Sequence, residues 1–77
     1  MPKSDPEKEL VQRLIEYLVA KREEQGMSQN RLSELAGVSR TGIRHFESGT
    51  TNPTLYFFLK VAKALDVDLT AVLDKNV

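Results

Sequence analysis

Apolar residues recur at helical spacing in five successive runs along this 77-residue chain, separated by short polar or glycine-bearing breaks. The first run, Val11, Leu14, Ile15 and Leu18, predicts a helix from about residue 7 to Gln25 that stops at Gly26. Ser4 or Asp5 can cap it, Pro6 suits its first turn, and Glu7 and Glu9 favour the positive end of its dipole. Leu10, Tyr17 and Val19 widen its apolar surface. The second run, Leu32, Leu35 and Ala36, begins after Ser28 and ends at Gly37. The third, Ile43 and Phe46, begins after Ser39 and closes at Glu47, before the turn-rich loop of residues 48–53. The fourth follows Thr54 and has two stripes. Leu55, Phe58, Leu59, Ala62 and Leu65 are expected inward, while Phe57, Val61 and Ala64 form a second line with Tyr56 beside it. Asp68 can cap the last helix, which carries Leu69, Val72 and Leu73. The pattern predicts an all-α fold: a flexible tail over 1–6 and one compact five-helix domain over 7–77, with no appended sensor domain.

The second and third helices are short and meet at a tight turn containing Gly37. That arrangement is a helix-turn-helix, the motif whose second helix lies in the DNA major groove. The run Ser28-Gln29-x-x-Leu32-x-x-Leu35-Ala36-Gly37-Val38-Ser39-x-x-x-Ile43-x-x-Phe46-Glu47-x-Gly49 resembles the phage-repressor family, the Cro- or Xre-like regulators. The loop from Gly49 to Pro53 also matches that family's connection. The resemblance implies a lambda-repressor-like fold and a sequence-specific DNA-binding transcriptional regulator that reads a two-part operator as a homodimer. It also implies an ion pair between Arg22 and Glu47, tying the first helix to the third.

At roughly 100° per residue, with Ile43 and Phe46 inward, Thr41 points almost directly away from the core. Arg44 and His45 flank it at about 50°, and Arg40 lies in the first turn. These types suit base edges: arginine grips guanine bidentately, histidine donates to an acceptor, and the threonine methyl meets thymine's. Similarity to the family points to the same four positions, Arg40, Thr41, Arg44 and His45, for bases. It implies phosphate contacts from Gln29, Ser39, Thr50 and Asn52, at helix starts and in the loop. Gly42 departs from the family's usual Ser or Thr. Either the site is a tolerant surface position, or the missing Cβ lets the helix seat closer to the groove wall. Tyr56 and Phe57 stand where the family more often has polar residues.

Charge alone does not lead to DNA, because eleven basic and eleven acidic side chains cancel. Their distribution is uneven. Residues 25–65 hold five basic side chains against two acids, a balance of +3, while the stretches before and after carry −1 and −2. One face can therefore meet phosphates. Without cysteine there is no disulfide or thiolate metal site. His45 is the single histidine and has no partner at metal or catalytic spacing, so no enzyme, cofactor or metal is expected. No apolar run reaches membrane-spanning length and no signal-peptide layout begins the chain, so a cytoplasmic protein is expected. Bacterial or phage origin is what the family resemblance implies, and no small-molecule ligand is expected.

The expected partners are double-stranded DNA and a second copy of the chain. The homodimer surface is placed on Tyr56, Phe57, Val61, Ala64, Leu69 and Val72, with Val77 or the wide face of the first helix as additions or replacements. A rival reading is a protein-interaction module, such as the antitoxin of a toxin–antitoxin pair.

Overall fold

The computed structural model describes residues 5–75, with side chains described as far as Val72. It holds five helices: α1 (Pro6–Glu24), α2 (Gln29–Ala36), α3 (Arg40–Ser48), α4 (Leu55–Ala64) and α5 (Leu69–Lys75). Of the expected tail, Asp5 and Pro6 belong to the first helix as its cap and first residue. Residues 1–4 and Val77, and the side chain of Leu73, lie outside the described residues.

Each helix starts where a short polar side chain can satisfy a free backbone N–H. Asp5 accepts from the Lys8 amide at 3.1 Å, Ser28 from Arg31 at 3.0 Å, and Ser39 from Gly42 at 2.9 Å. Thr54 accepts from Phe57 at 3.1 Å, and Asp68 from Thr70 at 3.0 Å. Such a cap contributes about 1 kcal/mol. Gly37 and Gly49 end α2 and α3 in the left-handed region, at φ 71° and 74°. Asp66 takes that conformation just after α4 without being glycine, at φ 60°.

The core draws on every helix: Ile15 and Leu18 of α1, Leu32 of α2, Ile43 and Phe46 of α3, Phe58, Val61 and Ala62 of α4, then Leu65 and Leu69. Val11, Leu14 and Val19 pack against its edge, while Leu10 and Tyr17 remain 40% and 38% exposed.

Two helices are rotated from expectation. In α4 the inward line is Phe58, Val61, Ala62 and Leu65, whereas Leu55 and Leu59 are 65% and 47% exposed. The shift is about 45° around the helix. Val61, placed on the dimer surface by its spacing, is fully buried in the chain's own core, and Leu69 is buried there too. Neither is available to a second copy. Phe57 is on the flank of α4, partly buried against Phe46. In α2 the small residues Ser33 and Ala36 face inward with Leu32, and Leu35 faces out. Small side chains at that seam let α2 approach both α3 and α4, the elements it packs on. Ser33 is satisfied there because its hydroxyl donates to the Asn30 carbonyl at 2.7 Å.

Candidate nucleic-acid interface

α3 is held from within and open from without. Ile43 and Phe46 are buried, and Phe46 meets Phe57 and Phe58 with ring centroids 5.2 Å away in each case. Thr41, Arg44 and His45 are exposed on the opposite side, and Arg40 is exposed on the flank in the first turn. Among the described residues, neither Arg40 nor Arg44 pairs with a carboxylate. Both guanidiniums therefore retain their planar fork of donors, the geometry that matches guanine O6 and N7 or a phosphate.

The C-terminal end of α3 is fastened by a polar knot. Arg22 of α1 donates to Glu47 through Nε at 2.7 Å and through its terminal nitrogen Nη2 at 3.0 Å. Its other terminal nitrogen, Nη1, donates to the Met27 carbonyl at 2.7 Å. The two side chains are only 13% and 8% exposed, so the pair is largely withdrawn from water. A bidentate fork with a third hydrogen bond offsets the desolvation that such burial entails. Gln29 completes the knot by donating Nε2–H to Glu47 Oε1 at 2.8 Å. Family similarity assigns Gln29 to phosphate and gives no hint of this bond. Nothing local signals it, since the two residues are joined only by the packing of α2 on α3. One amide N–H and the carbonyl of Gln29 remain for another partner.

The remaining candidates are placed unequally. Ser39 caps α3 at its first turn, so its hydroxyl is already accepting from Gly42. Thr50 shares a hydrogen bond with Ser48 at 3.0 Å, and Ser48 also donates to the His45 carbonyl at 3.0 Å. This ties the loop after α3 to the end of the helix. Asn52 is exposed in that loop. The N-terminal ends of α2 and α3, carrying Gln29 and Arg40 at their first positions, present the free backbone N–H groups that suit anions.

Gly42 lies between its own helix cap and α4. A Cβ there would stand 3.5 Å from a Phe57 ring carbon and 3.0 Å from the Ser39 hydroxyl. The Phe57 ring of α4 is therefore at ordinary contact distance from that position, on the side of α3 away from Arg44, and the Ser39 hydroxyl is the tight neighbour.

No group of described residues could hold a metal ion, and among them no helix is long and apolar enough to cross a membrane.

A helix-turn-helix family model matches residues 18–72, from the middle of α1 into α5. The HTH-type transcriptional regulator SinR of Bacillus subtilis is 37% identical over 66 residues, covering 84% of this chain and 56% of that protein. An uncharacterized HTH-type transcriptional regulator of Haemophilus influenzae is 39% identical over 59 residues, covering 77% of this chain and 60% of that one. The chain thus spans less than two thirds of either relative. Among solved structures, a tyrosine-to-alanine mutant of the restriction-modification controller protein C.Esp1396I superposes with a TM-score of 0.77 at 24% identity, covering 86% of each chain. That likeness establishes the five-helix arrangement. With the family match spanning most of its length, the chain belongs to the helix-turn-helix family, in its Cro/Xre-like branch.

Proposed function

We propose that this protein is a sequence-specific, DNA-binding transcriptional regulator without enzymatic activity, acting in the cytoplasm as a homodimer on a two-part operator. The observation that carries the reading is the outer face of α3. Arg40, Thr41, Arg44 and His45 stand exposed together on a helix whose other side is locked into the core. In this reading α3 enters the major groove and those four side chains read bases. Gln29, Ser39, Thr50 and Asn52 hold phosphates through side chains or neighbouring N–H groups. The names of the related regulators support the same class.

The homodimer surface we assign differs from the spacing-based one. Leu55, Tyr56 and Leu59 are the most exposed large apolar side chains of α4, and Leu35 of α2 is 46% exposed. Leu35, Tyr56 and Leu59 line one shallow hollow together with Lys60 and Lys63. Leu59 and Lys63 also border the adjoining hollow that Asp66 and Asp68 share. A two-fold interface must be complementary to itself. Here an apolar ridge lies beside both a lysine and two aspartates, so Lys63 of one copy can face the acids of the other. That charge arrangement favours a second copy over a toxin-like partner. The test is selection of bound sequences from a random duplex pool, with alignment of the winners. Inverted half-sites about one helical turn apart are expected; recovery of no shared sequence would refute the reading.

A further inference from the structure

Gly42 and Phe57 are fifteen positions apart, each departs from the pattern this chain otherwise resembles, and in the fold they meet. A Cβ on Gly42 would stand 3.5 Å and 3.7 Å from two edge carbons of the Phe57 ring. The ring therefore sits over the notch left by the missing side chain. Its other neighbour is Phe46, at 5.2 Å between centroids, and Phe46 in turn meets Phe58 edge-on. Phe57 is thus in contact with α3 at two successive turns of that helix, through Gly42 and Phe46.

We propose that Phe57 is a positioning residue for the recognition helix: by seating on Gly42 it sets the height and tilt at which α3 presents its side chains to bases. This rests on the DNA-reading function proposed above. The nine residues of α3 are held at their C-terminal end by the Glu47 knot. At the N-terminal end, where Arg40 and Thr41 stand, the supports include Val38, Ile43, the Ser39 cap, the packing of α2 and the Phe57 ring. A reading head must be held to within about 0.5 Å and 10–20° by the shell behind it. A Thr side chain at position 42 would add two atoms beyond a Cβ that already meets the ring at 3.5 Å and the Ser39 hydroxyl at 3.0 Å. A small residue at 57 with glycine kept at 42 would leave α3 unsupported on that flank. The two departures fit as a compensating pair. Specificity then depends on a side chain of α4 that need not touch DNA.

A double-mutant cycle tests this. Wild type, Gly42→Thr, Phe57→Thr and the double variant are compared for thermal midpoint and for binding to the selected operator. Binding is also measured to single-base variants of the operator and to an unrelated duplex. Each single substitution should reduce the preference for the operator over its base variants at least about fivefold, the low end of what one base contact discriminates. Binding to the unrelated duplex should stay within about twofold, because phosphate contacts carry that term. The double variant should recover part of the lost preference, since a threonine then fills the notch. Phe57→Leu, which keeps most of the volume, should fold and show a smaller loss of the same kind if Phe57→Thr does not fold. Equal loss of affinity for all duplexes, or falling stability with the base preference intact, would reduce Phe57 to ordinary packing. Losses that simply add in the double variant would overturn the pairing. A wild type without any preferred sequence would instead overturn the DNA-reading function itself.

Discussion

Replacing Glu47 by alanine should damage this fold more than any surface substitution, and the size of the effect can be worked from the knot. The carboxylate accepts from Arg22 at 2.7 and 3.0 Å and from Gln29 at 2.8 Å. Its removal strands a guanidinium that is only 13% exposed and keeps a single hydrogen bond, to the Met27 carbonyl. Breaking a buried pair from one side costs about 3–5 kcal/mol. A chain of this size has roughly 4–12 kcal/mol in total at about 0.05–0.15 kcal/mol per residue. Glu47→Ala should therefore lose about a quarter of the stability or more. In urea denaturation followed by helical circular dichroism, the midpoint should fall by at least about 1 M, given slopes of about 1–3 kcal/mol per molar for small domains. Gln29→Ala leaves both Arg22 bonds in place and should lose only about 1 kcal/mol. Replacing both charges, as Arg22→Met with Glu47→Leu, should restore most of the loss because no unpaired charge remains. A Glu47→Ala midpoint within about 0.3 M of wild type would refute the reasoning. It would mean that water reaches the pair and screens it.

Gly42→Ala should leave stability within about 0.5 kcal/mol of wild type, since the helix-propensity gain of about 0.5–1 kcal/mol is opposed by the close Ser39 hydroxyl; a calorimetric gain of the full amount would show that the site is open. Asp66→Asn should raise the thermal midpoint through about 0.3–1 kcal/mol, because asparagine accepts the left-handed backbone and removes a negative charge just past the negative end of α4; a lower midpoint would point to an unrecognised role for the carboxylate. Sedimentation at micromolar concentration should show twice the 8.7 kDa chain mass, and Leu59→Glu should give a folded monomer with weak operator binding; a wild-type monomer would leave pairing to occur only on DNA.

The parts of the fold that were legible in the sequence are those set by local chemistry. Ser28, Ser39 and Thr54 cap the helices that follow them, and Gly37 closes the one it ends, because each acts within a few residues of its own position. The facing of α4 was not legible. Its ten residues are apolar at Leu55, Tyr56, Phe57, Phe58, Leu59, Val61, Ala62 and Ala64, so no single direction stands out on a wheel, and the choice between Leu59 and Val61 is made by α2 and α3. Ser33 was missed because a small polar residue is buried only where a neighbour comes close. The approach of the Phe57 ring to Gly42 could not be foreseen from α3 alone, since that ring comes from α4. Arg22 and Glu47, 25 positions apart, were paired only through family resemblance, and Gln29 as the third member of that knot was not foreseen. The outer face of α3, by contrast, could be read directly, because Ile43 and Phe46 determine its phase.

The most direct test of the central claim, that α3 reads DNA sequence through its exposed face, is competition binding of wild type and Arg44→Ala. Both are measured on the selected operator and on its full set of single-base variants at one salt concentration. Arg44 is exposed and pairs with no carboxylate among the described residues, so its removal leaves the core untouched. A loss of about 1–3 kcal/mol on the operator is expected, with the preference flattened at one base pair of each half-site and retained at the others. Discrimination unchanged at every position would contradict the claim.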